Sequence, residues 1–181
     1  MVRPASDWDE LIARTTTIIQ SDGALRRERA VAYGNRGVAR HNKGEAAPAL
    51  TDFAAAIGID PDYARAYFAR GTAHLHAGDL DEAIADLSEA IERAPRYAPA
   101  FHSRALAWQR KGRAEAAVVD FTDAIRLEPL DAASYVGRGH VYLEWGDLDR
   151  ALNDFDLAVV MDPQFADAYV SRGIFWHRHK I

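Results

Sequence analysis

Apolar residues at Trp8, Leu11, Ile12, Ile18 and Ile19 are separated by polar ones at the spacing of a helix, and Asp22-Gly23 ends the segment. Further along, Ala100 to Lys111 is a helix-forming stretch, Gly112 breaks it, and Ala114 to Leu127 resumes it before Glu128-Pro129. Glycine suits the helix C-cap because it takes a left-handed backbone without steric cost. Proline stops the second stretch, since it has no N–H and restricts the residue before it. The pattern therefore predicts two helices joined by a glycine turn. Pro48 falls in the first turn of its helix, where a missing donor costs little.

The helical pair recurs. Tyr33-Gly34-Asn35-Arg36-Gly37, Tyr67-Phe68-Ala69-Arg70-Gly71, Tyr135-Val136-Gly137-Arg138-Gly139 and Tyr169-Val170-Ser171-Arg172-Gly173 share a Tyr-x-x-Arg-Gly frame. Phe101-His102-Ser103-Arg104-Ala105 is the same frame with conservative changes, and the spacing is 34 residues throughout. Pro61, Pro95, Pro129 and Pro163 keep that period, as do Ala49, Ala83, Ala117 and Ala151, and Ala56, Ala90, Ala124 and Ala158. Full units run 30–63, 64–97, 98–131 and 132–165. Residues 1–29 read as an N-terminal capping helix, the second helix of a half-repeat, with Arg26 to Arg29 extending the next helix backward. Residues 166–181 read as the C-terminal helix of an incomplete fifth unit.

Position by position, these units resemble the tetratricopeptide repeat, in a bacterial-type form with Tyr-x-x-Arg-Gly in the first helix. Large residues at position 4 are Tyr33, Tyr67, Phe101, Tyr135 and Tyr169; small ones at position 8 are Gly37, Gly71, Ala105, Gly139 and Gly173. Phe53, Leu87, Phe121 and Phe155 stand at position 24. Trp108, Tyr142 and Trp176 fit the large residue of position 11, whereas Arg40 and His74 depart from it. The resemblance implies an all-α, right-handed α-solenoid of 34-residue helix-turn-helix repeats, about ten helices in all. It also implies a non-catalytic scaffold that binds a protein or peptide ligand, an extended segment or a partner helix, in its concave groove. Groove residues expected on that basis are Asn35, Arg65, Phe68, Thr72, His102, Leu106, Gln109, His140 and Leu143. The clamp by which some relatives hold chaperone tails needs lysines, asparagines and an arginine. Its positions here hold Gly34, Val38, Ala69, Pro99 and Ser103, or Phe68, Thr72, Ser103, Ala133 and Gly137, so that ligand is disfavoured.

Composition narrows the partners. A net charge of −5 provides no basic face for nucleic acid. No apolar run approaches the length of a membrane span, and the first residues lack the apolar core of a secretory signal, so cytoplasmic is the default location. With no cysteine there is no disulfide, thiolate metal site or thiol nucleophile.

Candidate chemistry is sparse. Gly137 and Gly139 are followed by Tyr142 where a dinucleotide fingerprint needs a third glycine, and no serine sits in a Gly-x-Ser-x-Gly turn. No catalytic residues, cofactor or metal ligands are assigned. His41, His76, His102, His140 and His177 fall at positions that line the groove in the resembled fold. They suggest imidazoles that meet peptide carbonyls or carboxylates and gain charge near neutral pH. A histidine-lined metal or ligand-binding site is the alternative, and a regulatory subunit of a larger enzyme complex is another. Arg36, Arg70, Arg104, Arg138 and Arg172 share the period of Asp52, Asp86, Asp120 and Asp154, which predicts internal Arg–Asp pairs across each turn. At the last helix, Tyr169, Phe175 and Trp176 are expected to lie uncovered and to form a homodimer contact.

Overall fold

In a computed structural model of the chain the described residues are 5–179; residues 1–4 and 180–181 of the two end segments lie outside them. Helices and no strand make up the described residues: α1 (Ala5–Gln20), α2 (Arg26–Asn42), α3 (Ala46–Ile59), α4 (Ala64–Ala77), α5 (Leu80–Arg93), α6 (Ala98–Arg110), α7 (Ala114–Leu127), α8 (Ala132–Glu144), α9 (Leu148–Met161) and α10 (Ala166–His179). They fall into two compact units, Met1–Pro95 and Arg96–Ile181. In the first, α1 packs on α2, α2 on α3, α3 on α4 and α4 on α5. In the second, α6 packs on α7, α7 on α8, α8 on α9, and α10 on both α8 and α9. No helix among the described residues is long and apolar enough to cross a membrane.

One turn closes each hairpin. Gly44, Gly78, Gly112 and Gly146 have φ of 81°, 90°, 73° and 77°, a region that side chains penalise. The residue after each glycine donates its N–H to a carbonyl five residues back: Glu45 to Arg40, Asp79 to His74, Arg113 to Trp108 and Asp147 to Tyr142, at 2.9 to 3.0 Å. That is the six-to-one bond of a Schellman cap, and it satisfies a carbonyl the helix would otherwise orphan. The second helices are C-capped by Asp60, Ala94, Glu128 and Asp162, each immediately before the periodic proline.

The periodic small residues are the contact points. Ala49, Ala83, Ala117 and Ala151 are wholly buried, as are Leu87, Phe121 and Phe155. A methyl group added at Gly37 would lie 2.5 Å from the Phe53 ring, and one at Gly139 would lie 2.7 Å from that of Phe155. The glycines therefore let the large residue of the second helix sit against the backbone of the first.

The last helix corrects one expectation. Phe175 is 1% exposed, with its ring centroid 6.2 Å from that of Phe155, in a cluster with Tyr142 and Ala151. Its position in the repeat points back onto the preceding hairpin. Val141 packs in the same way on Ala105, Ala117 and Phe121, and Ala73 on Ala49 and Phe53. Tyr169 and Trp176 do reach the surface, at 43% and 38% exposed.

Candidate functional site

Both units pair arginine with aspartate across the hairpin. Arg36 Nε and Nη2 grip Asp52 at 2.9 and 2.7 Å, and Arg70 grips Asp86 at 2.7 Å through both nitrogens. Arg104–Asp120 and Arg138–Asp154 repeat the fork at 2.7 to 2.9 Å. All four aspartates are buried. The carboxylate bond raises the affinity of Arg36, Arg70 and Arg138 for their protons, against the opposing effect of burial. A bidentate fork on a buried carboxylate is structural, so these arginines are not available to grip a ligand.

The residues expected to line the groove lie on α2, α4, α6 and α8, the first helices of the repeats. In the first unit Val31, Asn35 and Val38 are exposed and spaced so that they share one face of α2. Asn35 and Val31 line an open cleft of about 560 Å³ with Thr15 and Ile18 of α1, Leu25 and Arg27. On α4, Arg65 is exposed, while Phe68 and Thr72 are half-buried. The Thr72 hydroxyl donates to the carbonyls of Phe68 and Ala69, so its proton is already engaged within the helix. His41 and His76 bridge α2 and α4, Nε2 to Nδ1 at 3.0 Å, with rings stacked 5.3 Å apart.

In the second unit several expected groove residues are taken up by neighbouring repeats. His102 Nδ1 meets Ser134 Oγ at 2.8 Å, and Ser134 donates to Asp131 Oδ2. With its one O–H donated to Asp131, the hydroxyl accepts from His102, which places the imidazole hydrogen on Nδ1. Gln109 donates to Glu144 at 2.9 Å, and His140 Nε2 meets Ser171 Oγ at 3.1 Å. Leu106 and Leu143 are half-buried against the cores around Phe121 and Phe155. A smaller recess of about 190 Å³ opens beside His102, lined by Pro99, Ser103, Glu128 and Asp131.

The histidines do not behave as an open row of imidazoles. Burial lowers the pKa of His102 against the pull of Asp131, and that of His140 against Glu144. Burial, and then repulsion from His76, lowers that of His41. Charging near neutral pH, as the sequence suggests, is therefore displaced toward acid at these three positions. His177 is exposed on α10. Among the described residues no three of His, Cys, Asp or Glu converge as a metal site.

Val31, Val38 and the Ile18–Leu25 wall were not singled out in the sequence, although Val31 and Val38 occupy the same repeat positions as Arg65 and Thr72. The signal was there: two valines flank Asn35 on one helical face, with no core role assigned to either.

The family model for the tetratricopeptide repeat matches residues 34–98 and 103–168, together more than half of the chain. Among solved structures, MamA is 22% identical, covering 90% of this chain and 92% of that one, with a TM-score of 0.77. YrrB, described as a TPR protein with an unusual peptide-binding site, is 22% identical over 92% of this chain and 84% of that one, TM-score 0.73. TTC0263, a thermophilic TPR protein of Thermus thermophilus, is 21% identical over 94% and 91%, TM-score 0.75. At these identities the likeness is one of fold: an all-α tetratricopeptide solenoid. No curated protein sequence matches the chain.

Proposed function

The chain belongs to the tetratricopeptide repeat family, whose fold suggests a protein–protein interaction scaffold, and from that premise we propose that its first-helix faces bind a peptide segment or helix of a partner protein. The observation that carries this reading is the α2 face: Val31 and Val38 are exposed beside Asn35, next to an apolar cleft. Apolar side chains of a ligand would enter that cleft and leave water. Asn35 can both donate to and accept from a peptide backbone. Arg65 on α4 is exposed, suits a carboxylate, and is not part of the Arg–Asp ladder.

The reading is non-catalytic. Ser134 lies between Asp131 and His102 and donates its O–H to the carboxylate rather than to the imidazole, so the imidazole does not activate it as a nucleophile. Tetratricopeptide proteins are generally scaffolds of this kind.

Panning a phage-displayed peptide library on the full chain tests the proposal. Selected peptides should lose at least about tenfold in affinity for the Val38→Glu, Asn35→Ala variant. The variant should melt where the parent does, because both side chains are exposed. Peptides that bind parent and variant equally would place the ligand elsewhere.

A further inference from the structure

In each full repeat the first helix presents four residues to the second: a large one, an arginine, a small one and, three residues on, another side chain. On α8 these are Tyr135, Arg138, Gly139 and Tyr142, covered by α9; Arg138 is half-buried and the other three are buried. Tyr135 and Tyr142 are 7% and 8% exposed. On α10 the equivalent residues are Tyr169, Arg172, Gly173 and Trp176, and three of the four are exposed. Val170 and Ile174 beside them are 57% and 45% exposed.

This surface has the form of an empty socket whose four counterparts are filled. Gly37, Gly71 and Gly139 each receive Phe53, Leu87 or Phe155, and Ala105 packs on Phe121. Nothing among the described residues lies within 4 Å of a methyl group placed at Gly173. The arginines of the filled sockets grip, through Nε and Nη2, the aspartate that precedes the large residue. Arg172 instead reaches back with Nη1 to Asp156 at 3.0 Å, on the exterior of α9. Among the described residues its Nε and Nη2 hold no carboxylate.

The filled sockets define what fits. Each takes a helix reading Ala-x-x-Asp-(Phe or Leu)-x-x-Ala: Ala49 to Ala56, Ala83 to Ala90, Ala117 to Ala124 and Ala151 to Ala158. The aspartate answers the arginine fork, the large residue fills the notch over the small one, and the alanines permit close approach. We propose that the Tyr169–Trp176 face of α10 docks an α-helix of this chemistry, with an Asp-aromatic or Asp-Leu step between two alanines, supplied by a partner protein.

A second copy of the chain is a poorer occupant. Its own helices of this pattern have Phe53, Leu87, Phe121 and Phe155 at most 1% exposed inside their repeats, so none can be lent without opening a core. Two α10 faces meeting about a two-fold axis would bring Arg172 toward its own equivalent and supply no aspartate–aromatic step.

The probe is a fluorophore-labelled, helix-stapled peptide of residues 80–93, which carries Asp86 and Leu87, titrated with the full chain. Saturable binding is expected, weakened about tenfold or more by Gly173→Leu, which fills the notch, and by Arg172→Glu. Lysine in place of Asp86 in the peptide should recover part of the loss in Arg172→Glu. Val38→Glu with Asn35→Ala should leave this binding unchanged, which separates it from the α2 face. Gly173→Leu has open space around it and a better helix former in place of glycine, so it should melt no lower than the parent does. An absence of saturable binding overturns the proposal, as does binding that ignores Gly173→Leu. A parent dimer that Gly173→Leu makes monomeric also overturns it, since the occupant is then a second copy.

Discussion

Helices α8 and α10 carry the same Tyr-x-x-Arg-Gly frame and live in different surroundings. On α8 the frame is interior: Arg138 forks onto a buried Asp154, and Gly139 lies under the Phe155 ring. On α10 Arg172 meets a half-exposed Asp156, and Gly173 has no neighbour where Gly139 has one. The residue types are the same and the energetic roles differ, because a contact residue acquires its role from the element that covers it. Substitutions in matched pairs should expose that difference.

The largest contrast is in the arginines. Arg138→Ala leaves Asp154 buried without its counter-charge and should cost about 3–5 kcal/mol of unfolding free energy in urea. Arg172→Ala breaks an exposed pair and should cost about 0–1 kcal/mol. Equal effects would mean that α10 is covered in solution.

The glycines should differ in sign. Gly139→Ala drives a methyl group into Phe155 and the Ala151 carbonyl, and should destabilise by about 1–3 kcal/mol. Gly173→Ala meets nothing and replaces a poor helix former with the best, so it should stabilise by up to about 1 kcal/mol. A loss at Gly173 comparable to that at Gly139 would erase the distinction between the two helices.

The smallest effect is in pH. His140 on α8 packs edge-on to Phe155 of α9 and bonds Ser171 of α10, and burial lowers its pKa from the 6.5 of the unfolded chain. The folded state then binds the proton less readily than the unfolded one. Its contribution to stability is complete above pH 6.5 and is lost as pH falls from there through the lowered folded value. His102 has the same sign. Melts between about pH 8 and about pH 5 should show the decline, and His140→Gln should flatten part of it. An unchanged slope in the variant would exclude His140 as a source.

Much of the architecture was legible along the chain, for reasons particular residues make plain. Gly44, Gly78, Gly112 and Gly146 announce a turn because few other residues tolerate their backbone. Arginine and aspartate sixteen residues apart announce a pair because two antiparallel helices about that turn bring them level. The candidate site was less legible. His102 and His140 looked like groove residues, yet each is tied to a serine of the next repeat. Nothing local reports that bond: its partner lies 32 residues on for His102 and 31 for His140. Phe175 looked uncovered because the frame it shares with earlier repeats holds alanine or valine there, and the larger ring was assigned to the wrong side of the helix.

Periodic chemistry was sufficient for the hairpins, their turns and the internal ion pairs, since each depends on residues that recur in register within one repeat. Which faces are covered depends on a second element arriving at a given place, and identical frames cannot encode that. The burial of Phe175 under the α8–α9 hairpin, the lowered pKa values of the histidines, the α2 cleft and the open notch at Gly173 all belong to this second kind. Each exists only once neighbouring helices have excluded water from one side and left it on the other.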